Sequence, residues 1–569
     1  MIYKKTHFIQ LLYVLVLLLL INFISQHFFT RIDLTKEKRY SLSNETKNTL
    51  NQLEDYVYVE VYLEGDFPSG IERLSLETYR ILTEFKSYND LFHFSFINPT
   101  ESKDSKTQNE IINQLYEKGL NPTSLQVKNG DSYSEKIIVP GAIVKYRGKE
   151  KVIQLLKSQI SRNSEQNIQN SIRELEYEFT NAILNLQTKI KPNIAFLRGH
   201  GELDDNELQD FTKSLSEKYI VDKIDLREFE LDPKGEPDLV KKLNQLKLKS
   251  IIIIAKPRKT FLDLDKFLID QYVMNGGKLL WLIDGTIADM DSLSNKSSFL
   301  TYPLRELNLN DQLFKYGIRI NSNIVEDISS SKIPIPINFV NNSPQWELMP
   351  WRYFPISIPT KNHPITSNLN AVKFDFAGSI DTVKTSLDIK KIILLETSPY
   401  TKLSNTPFKI SLKDALITPD YKKFNVGPQA LAVLLEGNFE SIYKNRLSPL
   451  NNKIKFKSNS EDTKMIVVSD GDIAKNKISR GQSLPLGFDN YEKKQYGNKD
   501  FLLNSVDFLL EDEALIQIRT REIKMRLLNN KRINQERLFW QITNILMPLL
   551  IVFLLGLSIN LIRRKKYAR

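Results

Sequence analysis

The sequence predicts an α/β protein. A large extracytoplasmic region holds an N-terminal βαβ domain and a doubly wound, mostly parallel α/β domain, flanked by one transmembrane helix at each end. Three observations predict it. Short unbroken apolar runs recur between helical stretches, as a parallel sheet buried on both faces requires. A strand–helix–strand pattern stands near the amino terminus. The longest apolar segments lie at the two extremes of a 569-residue chain. A mean hydropathy of −0.32 excludes a polytopic membrane protein.

Residues 1–7 read as a cytoplasmic tail and 8–29 as transmembrane helix 1. At about 1.5 Å per residue this segment spans a hydrocarbon core of about 30 Å. It exits through Asn22, Ser25, Gln26 and His27 rather than a small-x-small cleavage site, which favours a signal anchor over a cleaved signal peptide. Residues 30–160 form the first soluble domain. Ser43 is placed to cap a helix beginning at Asn44. A strand over 57–63, a helix over 72–88 and a strand over 91–97 then make the βαβ unit, compatible with a thioredoxin-like topology. Residues 161–190 read as a helical connector, with Leu175, Phe179, Ile183 and Leu184 in helical spacing.

Residues 191–510 carry the doubly wound domain. Its predicted strands are the apolar runs at 193–197, 251–254, 278–283, 391–395, 430–435 and 465–468, all read as the same kind. A helix over 263–275 places Leu264, Phe267, Leu268 and Tyr272 on one face, and Gly276 and Gly277 suit its left-handed cap. Residues 290–390, rich in Asn, Ser and Pro, read as a loop-rich insertion. Residues 511–538 form a basic juxtamembrane stalk, 539–562 transmembrane helix 2, and 563–569 a basic cytoplasmic tail. Lys and Arg flank both spans on both sides, but their density is greatest in the short tails, which places both tails in the cytoplasm and the bulk outside it.

Composition narrows the chemistry. The chain has no cysteine, so disulfides, thiolate metal sites and cysteine nucleophiles are excluded. With five histidines, two of them in or beside the first span, a multi-imidazole metal centre is not expected, and neither a metal nor another cofactor is assigned. The net charge of +11 is concentrated beside the spans, where each cation near anionic membrane lipids contributes about 1 kcal/mol. No nucleic-acid recognition motif accompanies it. Gly277-Lys278 is followed by Leu279 and preceded by Tyr272 where a phosphate loop needs its first glycine, so the chain is no ATPase.

The candidate ligand-binding residues are His200, Glu202, Asp284, Asp470 and Asp472. Arg198-Gly199-His200-Gly201-Glu202 follows a predicted strand, so an imidazole and a carboxylate stand at the sheet's carboxyl edge, where α/β proteins bind ligands. His200 could serve as acid–base with Glu202 orienting it. The alternative is a tight loop packed on its neighbours, because the cysteine of amidotransferase-like domains is missing. Lys256, Asp284 and Ser469 are what the other strand ends offer, and no Gly-x-Ser-x-Gly elbow surrounds Ser469. Asp284, Asp470 and Asp472 could meet around a divalent cation, although Asp-Gly-Asp is foremost a turn sequence. In the second span Asn544 and Pro548 are deep, and are candidates for a contact with another membrane helix.

Several stretches together resemble the GldG family, the auxiliary component of a gliding-motility-associated ABC transporter of Bacteroidetes-type bacteria. They are Arg31-Ile32-Asp33-Leu34-Thr35 with Arg39-Tyr40-Ser41-Leu42-Ser43, Gly199-His200-Gly201-Glu202, the run from Asp270 to Gly277, Ser469-Asp470-Gly471-Asp472-Ile473, and Tyr496-Gly497-Asn498-Lys499-Asp500-Phe501. Their order, with one span at each end, covers essentially the whole chain. The resemblance implies a two-pass inner-membrane protein with a periplasmic bulk, which works with an ABC permease subunit and an ABC ATPase subunit and is not itself an enzyme. It carries over no catalytic residue. The alternatives are an extracytoplasmic protein that binds a small molecule or glycan around His200, Glu202 and Asp284, and a degenerate amidotransferase-like hydrolase.

Overall fold

The computed structural model describes residues 13–18, 20, 22, 41–510 and 530–567, apart from 102–103, 130–131, 158–163, 189–190, 233–234, 236, 295, 305–306, 341–342, 360–362, 368, 447–454 and 480. The chain is a mixed α/β protein that divides into two units, Ser41–Arg521 and the two terminal segments.

The larger unit begins with α1 (Asn44–Asn51), whose cap is Ser43 accepting a hydrogen bond from the Thr46 amide at 3.2 Å. Then follow β1 (Val57–Val61), α2 (Ser69–Tyr88) and β2 (Phe92–Phe96), with β1 and β2 parallel as a βαβ unit requires. After α3 (Ser105–Glu117) and a hairpin, β3 (Thr123–Asn129) with β4 (Ser132–Ile138), come β5 (Gly141–Tyr146) and β6 (Lys149–Gln154). These last two join the sheet antiparallel, in the order β2-β1-β5-β6. The helix expected as a connector is α4 (Ser164–Gln187). It lies on this sheet and buries Leu175, Phe179 and Ile183 with Leu74 and Phe85 of α2.

The second sheet contains β7 (Asn193–Arg198), β8 (Ile220–Asp225), β9 (Ile251–Ala255) and β10 (Lys278–Leu282), then β11 (Lys390–Glu396), β12 (Ala430–Glu440) and β13 (Asn459–Val468). Its order is β11-β12-β13-β10-β9-β7-β8. Strand side chains alternate between faces. Phe196, Ile253, Leu280 and Ile466 point to one core, beneath α5 (Gln209–Ser216) and the late helix Asn498–Leu510. Leu197, Ile254, Trp281 and Val467 point to the other, beneath α6 (Leu239–Lys247) and α7 (Asp263–Met274). Both faces are therefore dry, and each such Ile or Leu contributes about 1.5–3 kcal/mol of burial.

Three expectations are corrected. The runs at 391–395 and 430–435 are antiparallel strands, β11 pairing β12 and β12 pairing β13, whereas β13, β10, β9, β7 and β8 are parallel. No helix is described between β12 and β13, and a return without a crossover gives antiparallel pairing. Helix α7 is not half-exposed. Asp270 and Gln271 are buried because the segments after β12 and before β13 cover them, and Asp265 and Lys266 because His200 and the helix Asn310–Tyr316 do. Its cap is as expected: Gly276, at φ +87°, and Gly277 donate to the carbonyls of Val273 and Tyr272. Residues 290–390 are not loop-rich but hold paired strands, the longest being a hairpin of Ser330–Val340 with Ser343–Ser357.

In the smaller unit, Asn530–Tyr567 is one helix containing Pro548. Among the described residues, its stretch Gln535–Lys565 is the one helix long and apolar enough to cross a membrane, and none of it is buried. Most of the expected first span, and residues 511–529 of the expected stalk, lie outside the described residues. The described part of the first segment, residues 13–18, 20 and 22, is helical.

Candidate functional site

The chain passes from β7 outward to β8, then crosses back to β9 on the other side of β7. The carboxyl ends of β7 and β9 therefore form a topological switch point, the usual ligand crevice of an open α/β sheet. Here the crevice is laced shut. The amides of Arg258 and Lys259, after β9, both donate to the His200 carbonyl at 2.8 Å, and the Leu203 amide donates to the carbonyl of Ala255 at 3.0 Å. Gly199 (φ +111°) and Gly201 (φ +70°) allow the chain to turn this tightly. A Cβ on Gly199 would stand 2.7 Å from Asp225 Oδ1.

His200 is fully buried. Its Nε2 donates to Asp265 Oδ2 at 3.0 Å, its Nδ1 is 3.5 Å from Glu202 Oε1, and its ring stacks on Phe261 at 3.8 Å. Burial lowers the affinity of the imidazole for a proton, but the carboxylates of Asp265 and Glu202 outweigh it, so its pKa is raised. Glu202 also accepts from the His200 amide at 2.9 Å, and Asp265 from the Leu262 amide at 2.9 Å at the start of α7. The imidazole of His200, between two carboxylates, thus ties the loop after β7 to the first turn of α7.

A second group stands at the ends of β9, β10 and β13. Carboxylate oxygens of Asp284, Asp470 and Asp472 lie within 4.8 Å of one another, which makes them a possible cation site by distance alone. The ammonium of Lys256 hydrogen-bonds Asp472 and is 3.6 Å from Asp284. Gly471 gives it room, for a Cβ there would be 2.6 Å from the lysine side chain. Backbone amides hold the acids in place: Gly471 donates to Asp284 at 2.6 Å, and Asp472 and Asp375 donate to Asp470 at 2.7 Å. Burial pushes the Asp472 carboxyl up to about 7, with the charge of Asp284 adding and Lys256 opposing. It pushes Asp470 well above the carboxylate range. These oxygens suit a hard divalent cation, but the ammonium already supplies positive charge, so a metal would have to displace it. Beside the acids is a cavity of about 40 Å³, also lined by Lys373, Asp375 and Lys477, room for a water or a small ion.

The five candidate residues thus fall into two groups with different partners. His200 and Glu202 pair with Asp265, whereas Asp284 joins Asp470, Asp472 and Lys256. Ser469 donates to the carbonyl of Gly378 at 2.6 Å and is buried. Sequence reasoning missed Asp265, which lies 65 residues beyond His200. Its one signal is its place in the first turn of a helix, where a carboxylate is favourable. Asn544 and Pro548 lie on the uncovered helix Asn530–Tyr567, four positions apart and so on one face.

Comparison with known proteins adds the following. A family model described as "ABC-type uncharacterized transport system" matches residues 191–505, and a domain of unknown function matches residues 36–145. An uncharacterized protein of Borreliella burgdorferi is 23% identical over 552 residues, 94% of each chain. Among solved structures, the mmIFT52 N-terminal domain aligns with 56% of this chain and 98% of its own, at 13% identity and a TM-score of 0.31. A ThuA-like protein from Parabacteroides merdae aligns with 60% of this chain and 94% of its own, at 10% identity and a TM-score of 0.26.

Proposed function

Because this chain belongs to the ABC-type uncharacterized transport system family, we propose that it is a non-enzymatic, membrane-anchored subunit acting beside a separate permease and ATPase. The observation that carries the reading is the extent of the match, which takes in the doubly wound sheet from β7 through β13 and the helix Asn498–Leu510. Family membership itself establishes an auxiliary role in an ABC-type transport system. Absence of catalysis, the identity of the two partners and a link to gliding motility of the GldG kind belong to the proposal.

The geometry of the switch point supports a subunit without chemistry of its own. His200 has no exposed surface and both ring nitrogens face carboxylates, so it has no open side for a substrate proton. Lys256 is committed to Asp472 in the same way. Ligand capture around His200 would need the two loops to part, breaking three backbone hydrogen bonds. The uncovered apolar helix Gln535–Lys565 supports membrane anchoring. We further propose that the first apolar segment is a second span, that the bulk is periplasmic, and that Asn544 and Pro548 meet a permease helix. The N-terminal layer is then a cysteine-free thioredoxin-like adaptor.

The test is enzymological. The full chain, purified in detergent, is expected to hydrolyse neither ATP nor ester and amide substrates, and to change the ATPase rate of its co-expressed permease and ATPase. Hydrolysis by the chain alone, lost in His200→Ala, would overturn the non-enzymatic reading.

A further inference from the structure

A separate cleft of about 730 Å³ opens between the helix Asn310–Tyr316, the segment Arg319 to Ser322 and the segment Ser441 to Arg446. Its volume is that of an ordinary small-ligand site. Its charge is uneven. Asp311 is shared by Lys266 at 2.6 Å and Arg446 at 2.7 Å, and Glu440 by Lys315 and Lys444. Four cations, Lys315, Arg319, Lys444 and Arg446, line the cleft, and Asp311 is the one acid among its lining residues. Arg319 is paired with Asp381 at 2.5 Å.

These cations are held but not used up. Arg446 gives one nitrogen to Asp311 and Arg319 one to Asp381, while a guanidinium carries five N–H donors in a planar fork. Both side chains are more than half exposed. Burial favours the neutral form of Asp311, but hydrogen bonds from Lys266 and Arg446 outweigh it and hold the carboxyl below its usual range. Lys315 and Lys444 hold Glu440 near 2. Both acids therefore stay ionised and keep the cations fixed in place. The remaining wall is of another kind. Phe314 is 51% exposed, and beside it stand Ile320 and the amides of Asn310 and Asn445. An open aromatic ring next to neutral amides suits the apolar face and hydroxyls of a sugar ring.

We propose that this cleft binds an acidic saccharide, a sugar or short sugar chain bearing carboxylate or phosphate groups. Arg319 and Arg446 grip the anion, Phe314 stacks on a sugar ring, and the asparagines read hydroxyls. The site is distinct from the His200 loop and does not depend on it.

The experiment is calorimetric titration of the full chain in detergent with trigalacturonic acid, mannose 6-phosphate, maltotriose and inorganic phosphate. At least one of the two acidic sugars is expected to bind tenfold or more tightly than maltotriose and than phosphate, and to weaken as salt is raised. Arg319→Ala with Arg446→Ala, and separately Phe314→Ala, are expected to weaken it at least tenfold. Lys423→Ala, at an exposed lysine that does not line the cleft, should leave it unchanged. The four altered side chains are exposed, and unchanged thermal melting confirms that each variant folds. Binding of phosphate as tight as that of the acidic sugars, equal loss in Lys423→Ala, retention in Phe314→Ala, or no binding of either acidic sugar would each overturn the proposal.

Discussion

The ammonium of Lys256, at the end of β9, hydrogen-bonds the carboxylate of Asp472, 216 residues further along the chain. That contact joins the loops after two strands separated in the sheet by β10, and supplies positive charge among three acids, of which Asp470 is buried and Asp284 and Asp472 are largely covered. The carboxyl edge of the sheet is thereby closed by an internal cation.

Lys256→Met tests this contact. The variant keeps much of the side-chain volume but leaves Asp284 and Asp472 without the ammonium that stands between them. Breaking a buried pair from one side costs about 3–5 kcal/mol. We expect a clear fall in melting temperature by differential scanning calorimetry, partly reversed by millimolar calcium, while the parent chain is indifferent to calcium. A variant that melts with the parent would show that the lysine is dispensable.

His200 predicts a pH dependence. Its pKa is raised in the folded protein, so its contribution is fully present below the unfolded value of about 6.5 and is lost as pH rises through the folded value. Melting temperature should therefore fall between pH 6 and pH 9, and more steeply in the parent than in His200→Gln. Parallel curves for the two proteins would contradict the clamp.

Gly285 follows β10, and a Cβ there would come 2.3 Å from the backbone oxygen of Asn321. Backbone cannot yield as a flexible side chain does. Gly285→Ala is expected to destabilise by about 1–3 kcal/mol, the range for overpacking. Chemical denaturation followed by intrinsic fluorescence reads it, and an unchanged midpoint would contradict the packing.

Deleting residues 535–569 tests the second proposed span. If the first apolar segment also crosses the membrane, the shortened chain stays in the pellet after alkaline carbonate extraction. Release into the supernatant would reduce the protein to a single C-terminal anchor.

Much of the doubly wound sheet is legible in the sequence, because a strand buried on both faces has to be apolar at every position, as residues 251–254 are. Strand direction is not written there. The run 430–435 of β12 is as apolar as β10, yet it runs the other way, since direction depends on how the chain returns rather than on side chains. The hairpin within 290–390 was hidden by Pro334 and Pro336, which suit the edge strand they occupy but look like loop residues in isolation. At the candidate site, the sequence pointed to the strand ends but not to which groups would pair. Asp265 comes from a helix and reaches His200 only through the packing of α7.

The central claim is membership of a membrane complex, and affinity capture tests it most directly. The chain, tagged and extracted from its native membranes in mild detergent, is expected to bring with it a multi-span permease and an ATPase with a phosphate-loop motif, in near-equal amounts. Recovery of the chain alone under several mild detergents would contradict the account.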